Sequence, residues 1–232
     1  MIRSALSLKA LPCLMLAFAG SVSAATYTNV PSGANTGLPF AYFGNAASSS
    51  GDSPKVGQVF ALTSDSVLSS FSFYVIGDKS LSLQLNVAQW NPDTNEKNQA
   101  LNSVGSNLLT SISAVQTFSA ASGVTTVQFN NLGLSLNAGT KYVAYLTSDD
   151  PSVTGIQLSR TQTAADVSGF GLGNAYRGTT PGMGWQLPFN GNGFLSLQYT
   201  AVTAAVPEPS AYALLFAGLG VVGASALRRK RV

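Results

Sequence analysis

Apolar and polar residues alternate with a period of two through most of the middle of the chain. Phe71, Phe73 and Val75 are separated by Ser72 and Tyr74; Leu81, Leu83, Leu85 and Val87 by Ser82, Gln84 and Asn86; Leu195, Leu197 and Tyr199 by Ser196 and Gln198. Successive side chains of a strand point to opposite faces, so this period predicts strands with one face on a core and one toward water, as in antiparallel sheet. Val56 to Leu62, Leu108 to Ser113, Val124 to Phe129, Thr140 to Thr147 and Thr154 to Ser159 are further expected strands. Turn-rich pieces at 76–79, 91–95 and 137–140 separate them. No helical period is sustained for three turns between residues 25 and 200. Eight or more short strands in one domain predict an all-β fold: an antiparallel two-sheet β-sandwich of jelly-roll type, with an open barrel as the alternative. Residues 25–55 read differently: the segment is rich in Gly, Asn, Ser and Ala, has one aromatic cluster, Phe40, Tyr42 and Phe43, and is expected to form an edge strand followed by a long flexible loop.

The two ends break this period. Arg3 and Lys9 precede an apolar run from Ala10 to Gly20 and the small residues Val22, Ser23 and Ala24, the pattern of a signal peptide over residues 1–24 read by a signal peptidase. Cleavage is expected after Ala24 or Ala25. Pro12 directly before Cys13 argues against a lipid-modified cysteine. At the other end, Val206-Pro207-Glu208-Pro209 follows a short linker of small residues, 201–206. An uncharged stretch from Ala211 to Leu227 comes next, then Arg228, Arg229, Lys230 and Arg231. At ~1.5 Å per residue that stretch makes one transmembrane helix just long enough for a thin hydrocarbon core, and the cations behind it would stay on the cytoplasmic side.

In order and content this tail resembles the PEP-CTERM sorting signal of Gram-negative bacteria, over residues 207–232: motif at 207–209, helix at 211–227, basic tail at 228–231. The resemblance implies that an exosortase-like membrane protease processes the protein near the motif. It also implies a route through the inner membrane, with transient anchoring there by the C-terminal helix, to the outer cell surface or the exopolysaccharide matrix. Gly57 to Phe60, Leu68 to Tyr74, Ala88 to Trp90 and Leu136 to Val143 look like the sandwich domains that many such proteins carry, which are similar in layout to carbohydrate-binding modules. That likeness rests on strand residues and implies a fold, not a ligand.

Charge changes the picture once the ends are set apart. The formal +3 includes +2 from the signal peptide and +3 from residues 208–232, leaving −2 on residues 25–207 from six cations and eight acids. No basic patch remains for phosphates, so no nucleic acid partner is expected. Lys55, Lys79, Lys97, Lys141, Arg160 and Arg177 are scattered singly, as on a solvated surface. The only Cys lies in the signal peptide, so the exported domain must be held by its core without a disulfide. With no His in the chain, Ser-His-Asp triads, imidazole acid/base chemistry and His-ligated zinc are excluded.

Three motifs look like chemistry and are read otherwise. Gly218 to Gly223 spells GxGxxG, yet it lies inside the expected span with no strand before it. Asn91, Asp93 and Asn95 have the spacing of a calcium loop, but Glu96 stands where that loop needs Gly. Asp149-Asp150 before Pro151 reads as a solvated turn, and eight acids mostly in turns offer no paired carboxyls for a glycosidase. No catalytic residue, metal site or cofactor is expected.

The remaining candidate is aromatic. Tyr176, Trp185 and Phe189 fall in a Gly/Pro/Asn-rich, loop-like segment from Gly169 to Gly193, with Arg177 and Asn190 beside them. Aromatic rings stack on the apolar CH face of sugars, while amides and guanidinium meet hydroxyls or acidic groups. Tyr176, Trp185, Arg177 and Asn190 are therefore the candidate saccharide-binding residues, with Trp90 and Trp185 serving as core anchors in the competing reading. The chain reads as an exported, non-enzymatic surface or matrix protein associated with exopolysaccharide. The alternatives are a structural or adhesive coat protein with no discrete site, and an ice-binding protein, for which regular Thr-x-Thr ladders are lacking.

Overall fold

The computed structural model describes residues 24–30, 37–44, 53–76, 80–91, 103–117, 123–148, 155–161, 172–178, 185–186, 196–206 and 216–220. Twelve strands make up almost all of it: β1 (Ala24–Thr28), β2 (Leu38–Phe43), β3 (Lys55–Ala61), β4 (Ser66–Ile76), β5 (Ser80–Asn91), β6 (Ser103–Thr117), β7 (Thr125–Leu136), β8 (Lys141–Thr147), β9 (Ile156–Arg160), β10 (Leu172–Gly178), β11 (Trp185–Gln186) and β12 (Tyr199–Ala205). They form two sheets. One runs β1-β12-β4-β9-β2 with β7 also paired to β4; the other runs β11-β10-β3-β8-β5-β6. Every pairing between these strands is antiparallel. The all-β, two-sheet fold expected from the alternation is the observed one, and the chain crosses between sheets at most of its turns.

The period of two explains which residues face inward. Phe71, Phe73 and Val75 of β4, Leu83, Leu85 and Val87 of β5, and Val127 and Phe129 of β7 are all buried between the sheets. Phe71 sits at the centre: its ring lies 5.8 Å from Phe60 of the facing sheet, 5.0 Å from Phe73 and 5.7 Å from Tyr199. Phe40 and Phe43 also belong to this core: the segment 25–55, expected to hold one edge strand and a loop, contains a second strand, β2, paired with β9.

A polar connection joins the sheets within this apolar layer. Gln58 faces inward from β3 and is fully buried. Its Oε1 accepts from the Leu197 backbone N–H at 2.8 Å and from Ser196 Oγ at 3.3 Å, while its Nε2 donates to the Val59 carbonyl at 2.9 Å. Asn29, just past β1, donates from Nδ2 to Ser196 Oγ and to the Leu197 carbonyl, and its Oδ1 accepts from Tyr199 N. Residues 196–198 lie where the chain enters β12, and these side chains satisfy backbone groups that a burial without partners would penalise. This is also where expectation and structure part: the alternation at 195–199 marks the approach to β12, and the strand itself runs on through the small residues to Ala205. The expected 201–206 linker is therefore strand through residue 205, held between β1 and β4.

Candidate functional site

Two strands arise from the segment expected to be a loop. Residues 172–178 add β10 to the edge of β3, and residues 185–186 add β11 beyond it. The loop-like composition belongs to the strands at one end of that sheet, β11 outermost and β10 between it and β3.

The register then groups the candidate residues. Tyr176 pairs with Gly57, Gly57 pairs with Tyr145 of β8, and Tyr145 pairs with Asn86 of β5, forming one row across the sheet. Trp185 pairs with Gly178, which pairs with Lys55, forming the next row of the same face. Positions nine apart in sequence thus reach neighbouring rows of one sheet edge. Arg177 occupies the intervening row, paired with Val56 and Gln186, so the register separates it from Tyr176 and Trp185. Asn190 lies outside the described residues, as do Phe189 and residues 92–100, which include Asp93 and Asn95.

This face of the sheet has its own packing. Val59, Ala88, Val143 and Trp90 form a second buried cluster on the side away from the main core, with Val104 and Tyr145 packed against it. Trp90 is only 4% exposed, which makes it a packing residue rather than a platform. Gly57 is needed where it stands: a Cβ there would fall 2.6 Å from Tyr145 Cβ and 2.7 Å from the Ala144 carbonyl oxygen, too close for any side chain. A glycine inside a strand signals such close approach, and Gly57 carries that signal in the sequence. Lys55, expected on the solvated surface, is partly buried, and desolvation holds its pKa below the ordinary lysine value.

The residues expected at the processing sites lie elsewhere. Ala24 begins β1 and pairs with Ala204; Ala25 pairs with Thr203. Val206 directly follows β12 and is 40% exposed. Pro207, Glu208 and Pro209, and likewise Arg228, Arg229, Lys230 and Arg231, lie outside the described residues. Within the expected span 211–227, residues 216–220 are helical, with Phe216 and Leu219 exposed, and the others lie outside the described residues. Among the described residues no helix is long and apolar enough to cross a membrane. Nor, among them, do three Asp, Glu, His or Cys side chains gather into a metal-binding group.

Residues 205–231 match the family described as the PEP-CTERM protein-sorting motif. No curated protein and no solved structure matches the chain.

Proposed function

We propose that this chain is a non-enzymatic protein of the cell surface or extracellular matrix whose β-sandwich associates with exopolysaccharide. Its PEP-CTERM motif indicates an exported protein sorted by an exosortase-type system. On this reading a signal peptidase removes residues 1–24, residues 211–227 hold the precursor in the inner membrane, and the exosortase-like protease passes the domain to the outer surface. The cations at 228–231 fix the orientation of the span.

The observation that carries the saccharide reading is the register of β10 and β11. It sets Tyr176 and Trp185 in adjacent rows of one sheet edge, beside Gly57 and Tyr145. Rings spaced along a rigid edge suit an extended sugar chain, because each CH face is apolar while its rim is polar. Against enzymatic chemistry stands the residue inventory: no His, and few acids. The burial of Trp90 favours the structural coat protein with no discrete site, since it removes one of the two tryptophans from the list of platforms.

Probing an array of neutral and acidic polysaccharides with the processed protein from the producing cells tests the reading. Binding to at least one polysaccharide is expected, weakened about tenfold in Trp185→Ala, a change of about 1.4 kcal/mol. No binding to any of them leaves the structural coat protein.

A further inference from the structure

The opposite outer face of the molecule, on the β1-β12-β4-β7 side, has a chemistry of its own. The register stacks two rows across it: Thr28, Thr200, Ser72 and Gln128 in one, and Thr26, Val202, Ser70 and Asn130 in the next. Tyr74 and Thr126 continue the face beyond the first row. None of these four strands contains a single Asp, Glu, Lys or Arg. Thr26, Thr28, Thr126, Gln128 and Asn130 are exposed and Tyr74, Thr200 and Val202 partly exposed, while Ser70 and Ser72 between them are buried, so the accessible part of the face is the line of Tyr74, Thr126, Gln128 and Asn130 with the threonines of β1 beyond it.

Tyr74 is held in place rather than loose. Its hydroxyl lies 3.0 Å from Thr200 Oγ1, which lies 2.9 Å from Thr28 Oγ1, and that hydroxyl also reaches the Tyr199 carbonyl at 3.2 Å. On the far side Gln128 Nε2 donates to Asn130 Oδ1 at 2.9 Å, which fixes the amide orientation. A ring pinned by its phenol beside oriented amides and hydroxyls has lost its rotamer entropy before any partner arrives.

We infer that this face, centred on Tyr74, is a second docking surface, and that its occupant is a neutral polysaccharide chain. The absence of charge selects the occupant. A uronic-acid polymer or a charged peptide would lose water from its ions and gain no counter-charge. An apolar protein face would strand the hydroxyls and amides without partners. A neutral sugar chain offers both an apolar CH face for Tyr74 and hydroxyls for Thr126, Gln128 and Asn130. The inference shares with the function proposed above the premise of a saccharide partner, and goes beyond it in placing a site on the opposite sheet.

The test measures binding of the processed protein to immobilised β-glucan, galactomannan and a uronic-acid polymer, in the parent and in a Trp185→Ala background. The background protein should keep binding a neutral polymer, and adding Tyr74→Ala should lower that affinity about tenfold or more. Tyr74→Phe, which keeps the ring and loses the tether, should fall between the parent and Tyr74→Ala. Thr126→Lys with Gln128→Lys alters only exposed positions, so it reports on the face even where Tyr74→Ala unfolds the protein, and it should also weaken neutral-polymer binding. If Trp185→Ala abolishes binding, the second surface is overturned while the edge site of β10 and β11 stands; if Tyr74→Ala and the lysine pair bind like their background, the second surface is overturned and the edge site is judged by Trp185→Ala against the parent. If Trp185→Ala changes nothing and the Tyr74 variants lose binding, the edge site falls and this one holds. Binding to the uronic-acid polymer alone overturns the inference, and binding to none of the polymers overturns both sites.

Discussion

Gln58 is the residue that most clearly works against its surroundings, an amide inside an apolar layer, and it is kept there by what it bonds. Because its Oε1 takes the Leu197 N–H, Gln58→Leu would leave that donor buried and unpaired. Gln58→Leu should therefore lose about 1–3 kcal/mol in denaturant unfolding despite being the more apolar side chain. A variant as stable as the parent would show that water replaces the amide. Lys55 gives a pH signature of opposite character to an ion pair. Burial lowers its folded-state pKa below 10.5, so between the two values the unfolded chain binds the extra proton and stability climbs with pH through that window. The rise in denaturation midpoint from pH 8 to pH 10.5 should be smaller in Lys55→Met than in the parent; equal rises would remove Lys55 as its source.

At the scale of elements, β7 shows how an uncharged edge is managed. Between Leu134, paired with Leu68, and Asn130, paired with Ser70, the strand carries three residues against one. Asn131 and Gly133 within it take positive φ of 58° and 61°. Such a bulge twists the edge and spoils it as a template for another chain, a role that lysines fill elsewhere. A Cβ at Gly133 would meet nothing within 4 Å, so the cost of Gly133→Val comes from the backbone alone. It should be about 1–2 kcal/mol, measured by chemical denaturation; no loss would mean that the strand re-pairs without its bulge. The elements legible in the sequence were those with one face in the main core, such as β4, where Phe71, Phe73 and Val75 alternate with small polar residues. β10 escaped because its Gly, Asn and Arg leave no alternation of apolar and polar positions to read, and β11 because it is two residues long. β12 escaped because Ala and Thr between two partners carry no contrast of apolar and polar to read. For the candidate site, Tyr176 and Trp185 were legible as residue types but their neighbours were not, since Tyr145 and Lys55 come to them only through register.

For the whole molecule, export and sorting predict a processed chain running from about residue 25 to about residue 206, which intact-mass measurement on protein from the producing cells would reveal. A full-length chain at the outer surface would contradict it, and neutral replacements of Arg228, Arg229, Lys230 and Arg231 should impair processing. Ala25 pairs with Thr203 at the end of β12, so cuts near residues 25 and 206 would leave the two new chain ends on neighbouring strands. Neighbouring strands lie ~4.8 Å apart, so the new amino group and the new carboxyl group come to rest side by side at one pole of the domain. A precursor gripped at both ends would hang from that single pole like a pendant, with almost no lever arm, since β12 stops one residue short of Val206. Whatever later receives the carboxyl end would inherit the same pose, with the attachment point at the rim of the domain.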